Sequence, residues 1–258
     1  MKYGKLFSAL SIPVAILVVW QVLSRAGVLS PLLFPAPTEV LATGLSMLSS
    51  GELMRQVGAT LRRLLMGALV GGVPGLACGL LMGAFRPVRD HLKPIVSALN
   101  STPKMALLPM LMLFAGVGEV SRVIAIAITC FIVLALHSLD AVLGVDPAHV
   151  ELARNYGAGR FAMLRRVYLP ASLPTIFTAM RLALGRALVL TISIEMLSAP
   201  DGIGSTLWIA WQTFSTDKLY VGVIVAATLG ALCHSGLEWL EGHLILWRGH
   251  AETVQCRN

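Results

Sequence analysis

Long apolar runs separated by short polar ones set the plan of this chain. A helix needs roughly 20 mainly apolar residues to cross a bilayer. Six stretches approach that, at about 6–23, 64–84, 95–116, 120–137, 178–198 and 219–240. The pattern predicts an all-α integral membrane protein with about six transmembrane helices, organised as one domain over 1–258. Segment 24–63 is too polar to span. It holds Phe34-Pro35-Ala36-Pro37 and then an amphipathic stretch from Thr38, with Val40, Leu41, Leu45 and Leu48 toward one side. Such a stretch is expected to lie at a membrane surface.

The second apolar run carries a register of its own. Gly67, Gly71, Gly75, Gly79 and Gly83 recur at every fourth position. At helical spacing they fall along one slowly drifting face, and small-residue faces let membrane helices approach closely. They are candidate helix-packing residues. Pro74, in the same run, predicts a kink.

Composition supports the membrane reading. The chain is 56% hydrophobic and 13% charged, with a mean hydropathy of +0.79, whereas soluble domains carry about 25% charged residues. The net charge of +7 does not point to nucleic acid, because the basic residues cluster between apolar runs without interleaved aromatics. Most of the twenty Lys and Arg, including Lys2, Lys5, Arg86, Arg89, Lys93 and Arg154, fall in segments that are inside if both termini are cytoplasmic. Arg55, Arg62 and Arg63 run against that bias. The amino-terminal run is long for a signal peptide and no A-x-A site follows it, so it is read as the first span.

Chemistry-bearing patterns are few. Cys78, Cys130, Cys233 and Cys256 form no CxxC pair, and the six histidines form no HExxH. His137 and His234 are read as packing histidines, and Met105, Met110 and Met112 as core or loose pathway lining. Trp208, Trp211 and Trp247 are read as interface anchors, and Arg181 and Arg186 as snorkelling cations. Glu195, near the outer end of the fifth run, is a possible pathway or gate residue together with Met110, since an ionisable group at membrane depth is a functional candidate. No GxxxxGK[ST] is present, so nucleotide hydrolysis would belong to another chain.

The longest polar stretch, about 138–177, lies between the fourth and fifth runs and reads as two short helices. Asp146 is a suitable N-cap and Pro147 suits the first turn. The helix passes Val150, Glu151, Leu152 and Tyr156, and Gly157 supplies a left-handed stop. A second helix, near Arg160 to Val167, is expected to end at Leu169-Pro170.

Glu151-Leu152-Ala153, three residues, Gly157, nine residues and Val167-Tyr168-Leu169-Pro170 resemble the EAA loop of the ABC-importer permeases. The family pattern is EAA, three residues, Gly, nine residues, I-x-L-P. Leu152 replaces the second Ala and Val167 the Ile. Phe34-Pro35-Ala36-Pro37-Thr38, Leu107-Leu108-Pro109 through Gly116-Val117-Gly118-Glu119, Glu195-Met196-Leu197 with Gly202-Ile203-Gly204, and Leu244-Ile245-Leu246-Trp247-Arg248 are similar to the nitrate/sulfonate/taurine branch. One departure lies in the last span, where members often carry an Asp near His234.

The resemblance implies a type I ABC importer permease in the bacterial inner membrane, a transport subunit rather than an enzyme. It implies a pathway for a small solute, a nitrate-, sulfonate- or taurine-like anion, delivered by a periplasmic or lipid-anchored binding protein. The implied partners are a second permease copy, two ATPase subunits and membrane lipid, with no nucleic acid. The chain itself would bind no cofactor; ATP and Mg would sit on the ATPase. Glu151, Leu152, Ala153, Arg154, Gly157, Leu169 and Pro170 would couple to that ATPase. Two other classes compete. A membrane-embedded enzyme would need converging polar groups, which are not visible. An ion-coupled carrier or channel would leave the loop at 146–170 without a role.

Overall fold

The computed structural model describes residues 2–245, without the side chains of residues 2–10 and of Arg160. Trp247, Arg248, Cys256 and Arg257 lie outside the described residues, as does the Leu246-Trp247-Arg248 end of the resemblance.

The described residues are mostly helical, with short connections and no strand among them. In order they form α1 (Lys2–Arg25), α2 (Pro37–Ser49), α3 (Glu52–Ala84), α4 (Arg86–Ser101), a 3₁₀ turn (Lys104–Leu107), α5 (Leu108–Ala115), α6 (Glu119–Leu143), α7 (Pro147–Asn155), α8 (Arg160–Met163), a π turn (Leu164–Tyr168), α9 (Leu169–Ser198), α10 (Ile203–Gln212) and α11 (Thr216–Leu244). Among the described residues four helical stretches are long and apolar enough to cross a membrane: Glu52–Ala84, Glu119–Leu143, Phe161–Ser198 and Thr216–Leu244. Ser11–Arg25 is a shorter apolar helix.

The run at 95–116 is not one helix. α4 stops at Thr102, which is extended at φ −76° and ψ 133°, because the ring of Pro103 disfavours the helical region for the residue before it. The chain re-forms as the 3₁₀ turn and α5, and Gly116 ends α5 at φ +81°. The segment still accounts for one passage, since α3 and α6 run parallel along each other and the chain between them must return.

The expected helix end at Leu169-Pro170 is also corrected. The helix continues from Phe161 to Ser198, through a π turn whose wider loop lets the Leu169 N–H reach the Leu164 carbonyl. That turn absorbs the residue whose successor, Pro170, has no N–H to give.

The chain divides into two compact units. One comprises the chain up to Thr60 and Glu195–Thr228. In it Pro37 opens α2, and the Glu39 carboxylate accepts the Ala36 N–H at 3.1 Å. Ala36 has no side-chain acceptor, so only that half of a capping box exists. Val40 and Met47 bury against Val221, Thr43 donates to Asp217 at 2.9 Å, and the Trp20 and Tyr220 rings lie 5.2 Å apart. Leu41, Leu45 and Leu48 stay exposed, so the apolar side expected at 40–48 is split between a buried Val40 and an exposed leucine row.

The other unit comprises Leu61–Ile194 and the chain from Leu229. Its centre is α6, the most buried of the four long apolar helices. The glycine face of α3 lies on α6 in matching order. An added Cβ would meet Ile126 from Gly67, the Ala127 backbone from Gly71, the Phe131 backbone from Gly75, the Ala135 backbone from Gly79 and Val142 from Gly83. Around this seam, Met82 and Val96 pack with Ile132, Ala135 and Leu139. On another side Val133 and Leu134 meet Ala179 and Ala183 of α9.

Candidate functional site

The α7–α8 hairpin is built by local sequence chemistry. Asp146 accepts the Ala148 N–H at 2.8 Å, and Pro147 occupies the first turn. This satisfies one orphan donor where proline has none to give. At the other end Gly157 adopts φ +76°. Its N–H donates to the Arg154 carbonyl at 2.9 Å, and the Ala158 N–H donates to the Ala153 carbonyl at 3.0 Å. These two bonds are those of a Schellman stop, which needs a left-handed residue where Gly157 stands. The helix is therefore nine residues closed at both ends.

Of the residues singled out in the sequence, Glu151, Leu152, Arg154 and Gly157 are exposed, and Ala153, Leu169 and Pro170 are half-buried. Tyr156 is 85% exposed, and Leu152 and Phe161 are exposed apolar groups beside it. The hairpin borders two cavities. One of about 450 Å³ joins Leu152, Ala153 and Tyr156 with Val167 and Pro170. The other, about 490 Å³, joins Arg154 with Gly83, Arg86 and Arg89 at the end of α3.

Glu195 is 1% exposed. One of its oxygens, Oε2, accepts both the Thr60 hydroxyl at 2.9 Å and the Gly204 N–H at 3.0 Å. Thr60 in turn accepts the Ile203 N–H at 2.9 Å, and Gln56 accepts that of Gly202 at 2.7 Å. The carboxylate thus sits at the N-terminus of α10, where the helix dipole favours negative charge. Gly202 has φ +108°, and a Cβ there would collide with the Glu195 carboxyl group. Met110 is exposed on α5 and belongs to the other unit.

Three polar contacts were not read from sequence. Arg63, 0% exposed, grips Glu119 with two bonds, Nε at 2.9 Å and a terminal nitrogen at 2.6 Å. Arg122 reaches the same carboxylate at 3.1 Å and Arg62 at 3.8 Å. The cations that ran against the charge bias are therefore partly matched by one acid. Arg181, read as snorkelling, instead donates to Glu241 at 2.6 Å. The third is the Thr60–Glu195 bond. Each joins residues far apart in the chain, so no local motif announces it.

Comparison with known proteins places this geometry. A family profile described as "Binding-protein-dependent transport system inner membrane component" matches residues 75–245. The chain is 31% identical to the "Putative aliphatic sulfonates transport permease protein SsuC" of Bacillus subtilis strain 168, over 97% of this chain and 91% of the relative. It is 29% identical to the "Taurine transport system permease protein TauC" of Escherichia coli K12, over 92% and 88%. Among solved structures it is similar to the MetNI methionine ABC transporter in inward-facing form, with a TM-score of 0.67 at 20% identity, covering 73% of this chain and 94% of that one. An amino acid ABC transporter follows at a TM-score of 0.61 and 19% identity. These two likenesses concern the fold.

Proposed function

Because the chain belongs to the binding-protein-dependent transport inner membrane components, we propose that it carries a small sulfonate-type anion across the inner membrane. It is the permease subunit of an ABC importer, and a transport subunit rather than an enzyme. The solute class rests on the sulfonate and taurine permeases it resembles over nearly its whole length.

The partners follow from the same reading. A second copy of the chain completes the pathway, two ATPase subunits bind ATP and Mg, and a periplasmic or lipid-anchored protein delivers the solute. The observation that carries the coupling role is α7 itself: a short helix stopped at both ends, presenting exposed Leu152 and Tyr156. A rigid element of this kind transmits displacement as a body rather than dissipating it in loop motion. We assign Glu151, Leu152, Ala153, Arg154 and Gly157 to the ATPase contact, and Leu169 and Pro170 to the root of the hairpin. Met110 is assigned to the pathway. Glu195 is assigned to anchoring α10, since its oxygen is already engaged by Thr60 and Gly204.

Reconstitution of the chain with its ATPase and binding protein tests this, with uptake of a radiolabelled sulfonate and ATP hydrolysis measured side by side. Gly157→Val forces a β-branched residue into positive φ and misaims the hairpin. The expected result is normal insertion with uptake and stimulated hydrolysis lost. Full activity of Gly157→Val, with no cross-link from position 154 to the ATPase, would remove the coupling assignment.

A further inference from the structure

α9 and α11 lie against each other in the larger unit. An added Cβ on Gly230 would come within 3.3 Å of Leu188, and the shielded Arg181–Glu241 pair ties the two helices at 2.6 Å. Beside that pair opens a cavity of about 690 Å³, lined by Thr178, Leu182, Arg186 and Val189 of α9 and by His234 and Glu238 of α11. Its volume falls within the range of small-molecule sites.

The lining is unusual for a membrane span. Arg186 has roughly 18 Å of helix on one side and 25 Å on the other, at 1.5 Å per residue. His234 lies roughly 15 Å from the end of α11 and Glu238 roughly 9 Å. All three are exposed. Among the described residues none of them forms an ion pair or a side-chain hydrogen bond. Ionisable groups in spans face a bundle interior or a water-filled path rather than lipid.

The charges also have a polarity. Arg181 is matched by Glu241, which leaves one cation on α9 and one anion on α11 around the same space. Arg186 and Glu238 are not in contact, so neither neutralises the other directly. A solute with an anionic and a cationic end completes both, whereas a plain anion satisfies Arg186 and is repelled by Glu238.

We propose that this cavity is a solute station on the translocation path, where Arg186 receives the anionic end and Glu238 the cationic end of a small dipolar solute such as an aminosulfonate. The proposal rests on the importer reading and narrows its substrate class.

Two measurements judge it. In the assembled transporter, with the four native cysteines replaced, Val189→Cys provides an uncharged reporter in the cavity. It is labelled with sulfonatoethyl methanethiosulfonate, an anion, and with trimethylammonioethyl methanethiosulfonate, a cation. Both are expected to react. Arg186→Gln should lower the anion-to-cation rate ratio on the order of tenfold and Glu238→Gln should raise it comparably, as a unit charge does over several ångströms in a partly hydrated site. No reaction with either reagent means that lipid or the second copy covers this face, and overturns the proposal. Ratios that stay within about twofold overturn it equally.

In reconstituted uptake, Arg186→Gln should lose about tenfold or more for both 2-aminoethanesulfonate and ethanesulfonate. Glu238→Gln should lose the aminosulfonate alone. Equal loss of both solutes in Glu238→Gln refutes the dipolar assignment. If the unmodified transporter imports neither sulfonate, the sulfonate reading above fails, while the thiol rates still decide whether the cavity is a hydrated, polarised path.

Discussion

The glycine seam between α3 and α6 permits a quantitative prediction from one methyl group. In Gly75→Ala the new Cβ would lie 2.6 Å from the Phe131 carbonyl oxygen and 2.8 Å from its Cα. Ordinary contact begins near 3.4 Å, and the obstacle is backbone, which has no rotamer to change. The helices must part by about 0.8 Å, and a gap of that size forfeits a quarter to a half of each dispersion contact along the opened seam. Overpacking of this kind costs ~1–3 kcal/mol, against which alanine recovers ~0.5–1 kcal/mol of helix propensity. The net loss is about 0–2.5 kcal/mol, or roughly 0–10 °C in melting temperature for a chain of this length. Gly58→Ala in the same helix is the control, because its Cβ would meet nothing within 4 Å; it should be neutral or slightly stabilising. The assay is thermal unfolding of the purified chain in one detergent, followed by tryptophan fluorescence, with Gly75→Leu expected to fail assembly altogether. If Gly75→Ala melts with Gly58→Ala, the close approach of α3 to α6 is wrong.

Other substitutions separate strong contacts from weak ones. Glu119→Ala strands the buried Arg63 and should cost ~1–3 kcal/mol, whereas Arg62→Ala, at 3.8 Å and with Arg62 59% exposed, should cost ~0–1 kcal/mol; melting temperatures in the same detergent order the two. Glu195→Ala leaves the Thr60 hydroxyl and the Gly204 N–H without their acceptor, at ~1–3 kcal/mol each, while Glu195→Gln keeps an acceptor oxygen and should be milder. A Glu195→Gln protein of full stability without uptake would show that Glu195 touches solute instead of holding α10. Asp146→Ala removes the α7 cap at ~1 kcal/mol, read as roughly fivefold faster amide exchange at the start of that helix.

The parts of this structure that were legible in the sequence are those set by local chemistry. Long apolar runs impose helices because unpaired backbone groups are costly in lipid, so α3, α6, α9 and α11 were found, each longer than its apolar run. Asp146, Pro147 and Gly157 each carry a backbone requirement in the residue type, so the bounds of α7 followed closely. Pro103 offered the same kind of signal, yet a hydropathy window averages over it and the break between α4 and α5 was missed. Pro170 misled in the opposite direction: its rule assumes an α-helix, and a π turn removes the premise. The polar contacts were illegible for a different reason. Arg63 and Glu119 are 56 positions apart, Arg181 and Glu241 are 60, and Thr60 and Glu195 are 135. Only folding brings such residues together, and each alone looks like a stray charge or hydroxyl. The charges around the α9–α11 cavity are subtler still, because what distinguishes Arg186 from Arg181 is that it has no partner among the described residues.

The continuous path from Phe161 to Ser198 bears directly on how the proposed coupling would act. Had the helix ended at Leu169-Pro170, a flexible joint would separate the hairpin from the span, and motion of α7 would be absorbed in backbone rotation. Instead the π turn joins them without losing the hydrogen-bond ladder, since Leu169 still donates to Leu164 and Ser172 caps the Tyr168 carbonyl at 2.6 Å. Helices resist bending far more than loops, so displacement of a hairpin docked as proposed would tilt α9 as a lever. Arg186 rides on that lever while Glu238 rides on α11, and the Arg181–Glu241 pair near the hairpin end holds the two helices together. A tilt about that pair changes the separation of Arg186 from Glu238 without breaking a covalent or hydrogen-bonded element. Under the proposed coupling and the proposed solute station, the ATPase stroke would act on solute affinity directly, which is what an importer requires to release its cargo inward.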